Sequence, residues 1–216
     1  RLGILRGDFG TSFGQRRAVI DIISERIPAT LELGLAALFF GVVIGVPIGI
    51  VAAVKKGGWF DSITRIVAVI FNAVPVFWLG LVLILMFGSL LPQWLHNVNP
   101  AMFPKVSPIL PMGGRAPTVL TGGIPPIYMR LQYLILPTFV LATGGIAGYS
   151  RYMRASMLDV IGQDYIRTAK AKGLSMRQVW FKHGARNALM PLATFLGPAI
   201  TGLLAGAAIT ERIFSW

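Results

Sequence analysis

Four long stretches without one charged residue constrain this chain more than any other feature: residues 33–54, 66–91, 131–150 and 188–210. The first has 22 residues, about 33 Å of helix at about 1.5 Å per residue, which matches a hydrocarbon layer about 30 Å thick. Charged residues make up only 13% of the chain, against about 25% in soluble domains. An isolated block of this kind suits a buried soluble helix, but four in succession predict an all-α, multi-pass membrane protein. The third block is the weakest former of helix, because Gly144, Gly145 and Gly148 lower its propensity.

A net charge of +12 invites a nucleic-acid reading, and its distribution argues against one. Eight of the 20 basic residues (Arg151, Arg154, Arg167, Lys170, Lys172, Arg177, Lys182 and Arg186) fall between the third and fourth blocks. Lys55, Lys56 and Arg65 follow the first block. These two connections share a side of the membrane, and short cytoplasmic loops are enriched in Lys and Arg. Both are placed inside. The N-terminal segment, the connection 92–130 and the C-terminus are placed outside, and no nucleic-acid partner is expected. There is no cysteine, which excludes disulfides and thiolate metal sites, and no metal-ligand cluster is expected. His96 and His183 lie on opposite sides and cannot form one site.

The expected organisation is an external segment 1–28, then a transmembrane domain 29–216. Its spans are expected at 29–54, 66–91, 131–152 and 188–210, with an irregular external loop 92–130 and a cytoplasmic loop 153–187. Residues 20–27 suggest a short amphipathic helix at the outer surface, with Pro28 opening the first span. Gly41, Gly45 and Gly49 recur on one face of that span, a ladder that lets another helix approach closely, and Pro47 is expected to kink it. A second ladder, Gly197, Thr201 and Ala205 with Gly202 and Gly206 beside it, marks the last block for packing against a partner subunit. Glu32, at a span edge, reads as an interfacial carboxylate paired to Arg26 or a neighbouring helix, with a gating or substrate-contact role as the alternative. In the second span, Pro75 frees a backbone carbonyl, which protein or a wet cavity must satisfy. Asn72 beside it suits either a transport path or an interhelical hydrogen bond, and Thr143 is a further path candidate.

The connection from Asp164 to Pro191, DYIRTAKAKGLSMRQVWFKHGARNALMP, is too polar for lipid and too patterned for a slack loop. Asp159 or Asp164 suits the N-cap of a short helix running to Lys172. Gly173 stands where a left-handed residue ends a helix. Ser175 and Gln178 have capping-box spacing, predicting a second helix from Met176 into the next span. The pattern is a stiff helix–Gly–helix knob beneath the membrane.

These residues, with His183 and the run Ala185–Arg186–Asn187–Ala188–Leu189–Met190–Pro191, resemble the cytoplasmic loop of binding-protein-dependent ABC importer permeases (type I), in the dipeptide, oligopeptide and nickel permease subfamily. The segment Gly7–Asp8–Phe9–Gly10–Thr11–Ser12 resembles the external segment of one of its two subunit types. Arg167 stands where many importers carry an acid, and the spacing from Gly173 to Pro191 is longer than in sugar importers; both departures match the peptide-type variant. The resemblance implies a non-catalytic permease of the bacterial inner membrane. Its implied partners are the lipid bilayer, a second homologous permease, two cytoplasmic ATPases and an extracytoplasmic peptide-binding protein. ATP and Mg would be bound by the ATPases, with no cofactor in this chain, which carries no phosphate-binding Gly-Lys loop. It further implies that Asp164, Tyr165, Ile166, Arg167, Thr168, Ala169, Lys170, Ala171, Lys172, Gly173 and Leu174 meet an ATPase. Nickel chelates or another small solute are the alternative cargo. An ion-coupled carrier or channel is disfavoured, since such pathways need ionisable groups at membrane depth. The family also carries further spans before and after the portion given, so the chain is expected to be truncated at both ends.

Overall fold

The structure is a computed structural model that describes residues 3, 8–116, 127–205 and 208–216, with backbone only at 127 and 203–205. Among the described residues eight α-helices follow in order: α1 (Val19–Val54), α2 (Trp59–Ala73), α3 (Val76–Leu85), α4 (Leu91–Val98), α5 (Ile127–Ile161), α6 (Asp164–Ala171), α7 (Ala185–Ala205) and α8 (Ala208–Ile213). Met86–Leu90 and Gln178–Gly184 are π-helical and join α3 to α4 and lead into α7. Three helical stretches among the described residues, Val19–Val54, Val76–Val98 and Tyr128–Ile161, are long and apolar enough to cross a membrane. The last expected span corresponds to α7, 21 residues and about 31 Å at 1.5 Å per residue.

The packing of α1 on α5 organises the rest. A Cβ placed on Gly41 would meet the Tyr149 ring at 3.3 Å and the Gly145 Cα at 3.5 Å, and one on Gly45 would meet the Ile146 carbonyl at 2.9 Å. At Gly49 it would overlap the Ser150 carbonyl oxygen. Apolar side chains gain little from one another in lipid, so the backbones approach until van der Waals contact and main-chain polarity do the work. The contacts climb both helices together (41 with 145, 49 with 150), so α1 and α5 run parallel. At the other faces α5 meets elements running back. Asp61 at the start of α2 reaches Arg154, while Leu79 and Leu83 of α3 pack near Leu136 and Val140. Ala185, Ala188 and Leu192 of α7 cluster with Ile50, Met153 and Met157. The directions therefore alternate as successive membrane crossings require.

Several boundaries differ from the sequence expectation, each for a local reason. The first helix begins at Val19 and passes through Pro28 without a break, so residues 20–27 are not a separate helix. Residues 23–28 are exposed, so water can take the Ser24 carbonyl that the proline leaves unpaired. The second span is broken: Val74 is extended (φ −75°, ψ 122°), as the clash with the following proline ring demands. Residues 92–98, expected as loop, are helical within α4. The third helix continues to Ile161, so Arg151 and Arg154 stand on α5 and the connection is shorter than 153–187. Its extra turns are held because Met153 and Met157, one turn apart, are fully buried against α1 and α7. In the fourth span the helix starts at Ala185 and α8 follows from Ala208; Gly206, like Gly7, lies outside the described residues.

Candidate functional site: the coupling knob and its supports

Below α5 the chain turns at Gly162 and Gln163 into α6. Gln163 (ψ 150°) is the N-cap and makes no side-chain cap bond. Asp164 is the first helical residue and Asp159 is inside α5, so neither acid caps the helix. Asp164 instead places a negative charge in the first turn, where the helix dipole favours it. The helix ends through Gly173, whose φ of +73° lies in the region that costs other residues about 1–2 kcal/mol. Its N–H donates to the Lys170 carbonyl at 3.0 Å. Ser175 and Gln178 then cap the next helix reciprocally: the Ser175 N–H donates to Gln178 Oε1 at 3.3 Å, and the Gln178 N–H donates to Ser175 Oγ at 3.4 Å. Helix resumes at Met176.

The side chains of α6 divide into two faces. Ile166 (0% exposed) and Ala169, three residues apart, are buried with Val179 against Val160, Leu174 and Trp180. These two residues fasten α6 to the end of α5 and to the π-helical stretch; they are not free to touch another protein, contrary to the expectation. Asp164, Tyr165, Arg167, Thr168, Ala171, Lys172 and Gly173 are exposed. Lys170 is exposed too, with its ammonium 4.6 Å from the Trp180 ring centroid. The knob is therefore anchored by one face and presents a cationic, partly aromatic surface on the other.

A buried ion pair supports it from above, and sequence reasoning missed it. Asp61 is 1% exposed in the first turn of α2, ahead of the apolar run. Arg154 donates to it twice, Nε to Oδ1 at 2.5 Å and Nη2 to Oδ2 at 2.8 Å. The Gly57 N–H adds a third bond at 3.0 Å. The hydrogen bonds from Arg154, more than the charges of Arg154 and Arg65, hold its carboxyl down at about 2 against the penalty of burial. The signal was present: Asp61 is the one acid between residues 33 and 158.

The path candidates fare differently. Asn72 is exposed and its amide donates to the Ala68 carbonyl of its own helix at 2.7 Å. Thr143 is 2% exposed, its hydroxyl donating to the Val140 carbonyl at 2.7 Å. One is on the surface and the other in the core, so the fold does not bring them together. Pro75 is exposed at the break between α2 and α3. A concavity of about 280 Å³ does open one residue beyond Thr143, between α5 and α7, lined by Gly144, Gly148, Tyr149, Tyr152 and Phe195 among others. No heavy atom lies within 4 Å of a Cβ built on Gly144 or Gly148. The Tyr152 and Phe195 rings meet at its edge with centroids 4.1 Å apart and planes tilted by 58°. All three glycines that weaken the third block border this space, and Gly145 also packs on Gly41.

At the far end of the molecule Glu32 pairs with Arg115 and, at 3.3 Å, with Arg130; Arg26 is not its partner. The Trp216 indole donates to the Ala29 carbonyl at 3.0 Å, and Gly114 donates to the Phe214 carbonyl at 2.7 Å. The Glu32 pairing ties α1 to α5 through Arg130 and to the connection preceding α5 through Arg115. Gly197 and Thr201 are exposed and Gly197 meets nothing within 4 Å, so the second ladder has no partner at these positions; Ala205 is described by backbone only.

Comparison with known proteins supplies the family. Residues 45–216 match the family described as "Binding-protein-dependent transport system inner membrane component". The chain belongs to that family. Among its relatives, the dipeptide transport system permease protein DppB of Escherichia coli (strain K12) is 38% identical over 222 residues, covering 99% of this chain and 64% of that protein. The oligopeptide transport system permease protein AppB of Bacillus subtilis (strain 168) is 38% identical, covering 99% and 62%. OppB of Mycobacterium bovis, named for oligopeptide transport, is 38% identical, covering 98% and 62%. The chain therefore spans a little under two thirds of the length of these curated relatives.

Proposed function

We propose that this chain belongs to a membrane-spanning permease subunit in an ATP-driven importer of dipeptides or oligopeptides. It makes and breaks no bond itself. Two cytoplasmic ATPases, holding ATP and Mg, act on it through α6. A second, homologous permease packs on the open ladder of α7, and an extracytoplasmic binding protein delivers the peptide. The observation that carries this reading is the two-faced α6. Ile166 and Ala169 tie it to the helices, so a push on its exposed face moves the spans instead of bending a loop. The likeness to dipeptide and oligopeptide permeases supports the cargo.

Peptide passage is assigned to the concavity of Gly144, Gly148, Tyr149, Tyr152 and Phe195. Bare glycine backbone leaves room for varied side chains, and tyrosine rings offer apolar faces with polar rims. Alternating access between two states populated 1:99 and 99:1 needs about 5.5 kcal/mol of differential binding, within reach of a docked helix and its charges.

The test is the complete transporter reconstituted with its ATPases and binding protein, with ATP hydrolysis and peptide uptake followed together. Gly173→Pro is expected to insert normally and to hydrolyse ATP without matching uptake. Lys170→Glu is expected to weaken association with the ATPases, and Lys172→Glu, which disturbs no contact within the chain, is expected to do the same. Wild-type uptake by Gly173→Pro, with unchanged co-purification of the ATPases by both lysine variants, would refute the reading.

A further inference from the structure

Two adjoining features at the basic end take no part in the knob. One is a narrow crevice where α1, α2 and α5 meet, lined by Thr64, Arg65, Ser150, Arg151 and Arg154, with about 10 Å³ of free space. That is room for one oxygen-sized group. The other is an open groove of about 390 Å³ along α2, lined by Ser62, Arg65, Ile66, Val69 and Ile70. Arg65 borders both. Ile66, Val69 and Ile70 are exposed, and they run from Arg65 toward the middle of the bilayer.

The charges around the crevice do not balance. Three guanidiniums face one carboxylate, Asp61, which is occupied by Arg154 and the Gly57 N–H. Arg151 donates through Nε to the Ala147 carbonyl at 3.3 Å, and Arg65 through Nε to the Asp61 carbonyl at 3.4 Å, with that Nε also 3.7 Å from Asp61 Oδ1. Their terminal nitrogens make no hydrogen bond to the described residues, leaving an excess of two positive charges. Arg65 precedes the apolar run of the second span and Arg151 and Arg154 follow that of the third, which sets the cluster at headgroup depth on the side that positive-inside placement makes cytoplasmic.

We infer that crevice and groove together bind an anionic glycerophospholipid of the cytoplasmic leaflet. Its phosphate lies between Arg65 and Arg151, with one oxygen entering the crevice toward Arg154, and one acyl chain lies along Ile66, Val69 and Ile70. A zwitterionic lipid brings its own cation to a site that already has two in excess. Free phosphate would use the arginines and leave the groove bare. Another helix laid on this face of α2 would cover the isoleucines but would leave the two excess positive charges of the cluster uncompensated. The inference is independent of the cargo transported.

Native mass spectrometry of the purified transporter, from bilayers of equimolar phosphatidylglycerol and phosphatidylcholine, tests it. The wild type is expected to retain phosphatidylglycerol selectively, and millimolar inorganic phosphate is expected not to displace it. The Arg65→Gln/Arg151→Gln protein, whose Asp61–Arg154 pair is intact, is expected to retain at least about tenfold less, since each basic residue near a membrane surface contributes appreciably to anionic-lipid attraction. Arg65→Lys/Arg151→Lys is expected to restore most of the retention, and Ile66→Gln/Ile70→Gln to lose it with the arginines in place. Equal retention of the two lipids, unchanged retention in the glutamine double variant, or displacement by phosphate alone would overturn the inference. So would finding the Ile66–Ile70 face shielded by a protein helix from a lipid-soluble label.

Discussion

Asp61 is the acid whose environment departs furthest from water. Its carboxyl stands at about 2 against about 3.9 in an unfolded chain. A carboxylate depressed by folding stabilises the native state above its unfolded value, and that contribution fades as pH falls toward the folded one. Here it is worth about 2 kcal/mol near neutrality. Asp61→Asn also leaves Arg154 mostly buried without its counter-ion, so a total loss of about 3 kcal/mol is expected. Unfolding of the two proteins in detergent should show a gap that is constant from about pH 5 to pH 8 and closes below about pH 4. A gap unchanged at low pH would mean that the pair is not what holds α2 to α5. Gly49 makes a sharper demand, because a side chain there meets the Ser150 carbonyl and Met153. Gly49→Leu is expected to cost at least about 1–3 kcal/mol, read as loss of folded protein in membranes, whereas Gly197→Leu is expected to leave this chain's own packing intact.

Among the elements, α6 carries the mechanical argument. Ile166→Ser removes a fully buried anchor and is expected to destabilise docking by about 2–4 kcal/mol. Limited proteolysis at Lys170 and Lys172 should accelerate while the spans resist. Much of this element was legible in the sequence. Gly173, the Ser175–Gln178 cap and the restart at Met176 are local backbone chemistry, set by residues within a turn of one another. Two things were not legible. The side of α6 that faces inward depends on where Val160 and Val179 lie, which is tertiary information. The helix extensions at Val19 and Ile161 rest on solvation of a freed carbonyl and on methionines buried by distant helices, neither of which block hydropathy registers. Proline proved informative only in context: Pro75 breaks its helix, while Pro28, Pro47 and Pro137 stay inside theirs.

For the whole molecule, charge asymmetry and apolar blocks were enough to give the class of fold and the order of crossings. The parallel run of α1 beside α5 follows from an odd number of crossings between them and from the glycine ladder. Pairing across the molecule was less accessible: Glu32 finds Arg115 and Arg130, and Asp61 finds Arg154, each across more than eighty residues. Polar residues in spans drew attention to Asn72 and Thr143, which the fold does not bring together, whereas the concavity between α5 and α7 is bordered by glycines that present no side chain. If peptides pass there, Gly148→Leu is expected to abolish uptake at normal protein levels while ATPase association persists; uptake by that variant would move the path elsewhere.

The central claim is that α6 is a rigid lever whose exposed face is held by an ATPase on the cytoplasmic side. The chain has no cysteine, so a single Arg167→Cys substitution reports on that face alone. In inverted membrane vesicles, a membrane-impermeant maleimide is expected to label Cys at this position rapidly when the permease is alone, and at least about tenfold more slowly once the ATPase subunits are assembled; in right-side-out vesicles no labelling is expected. Labelling from the outer side, or a rate in inverted vesicles that the ATPases leave unchanged, would contradict it.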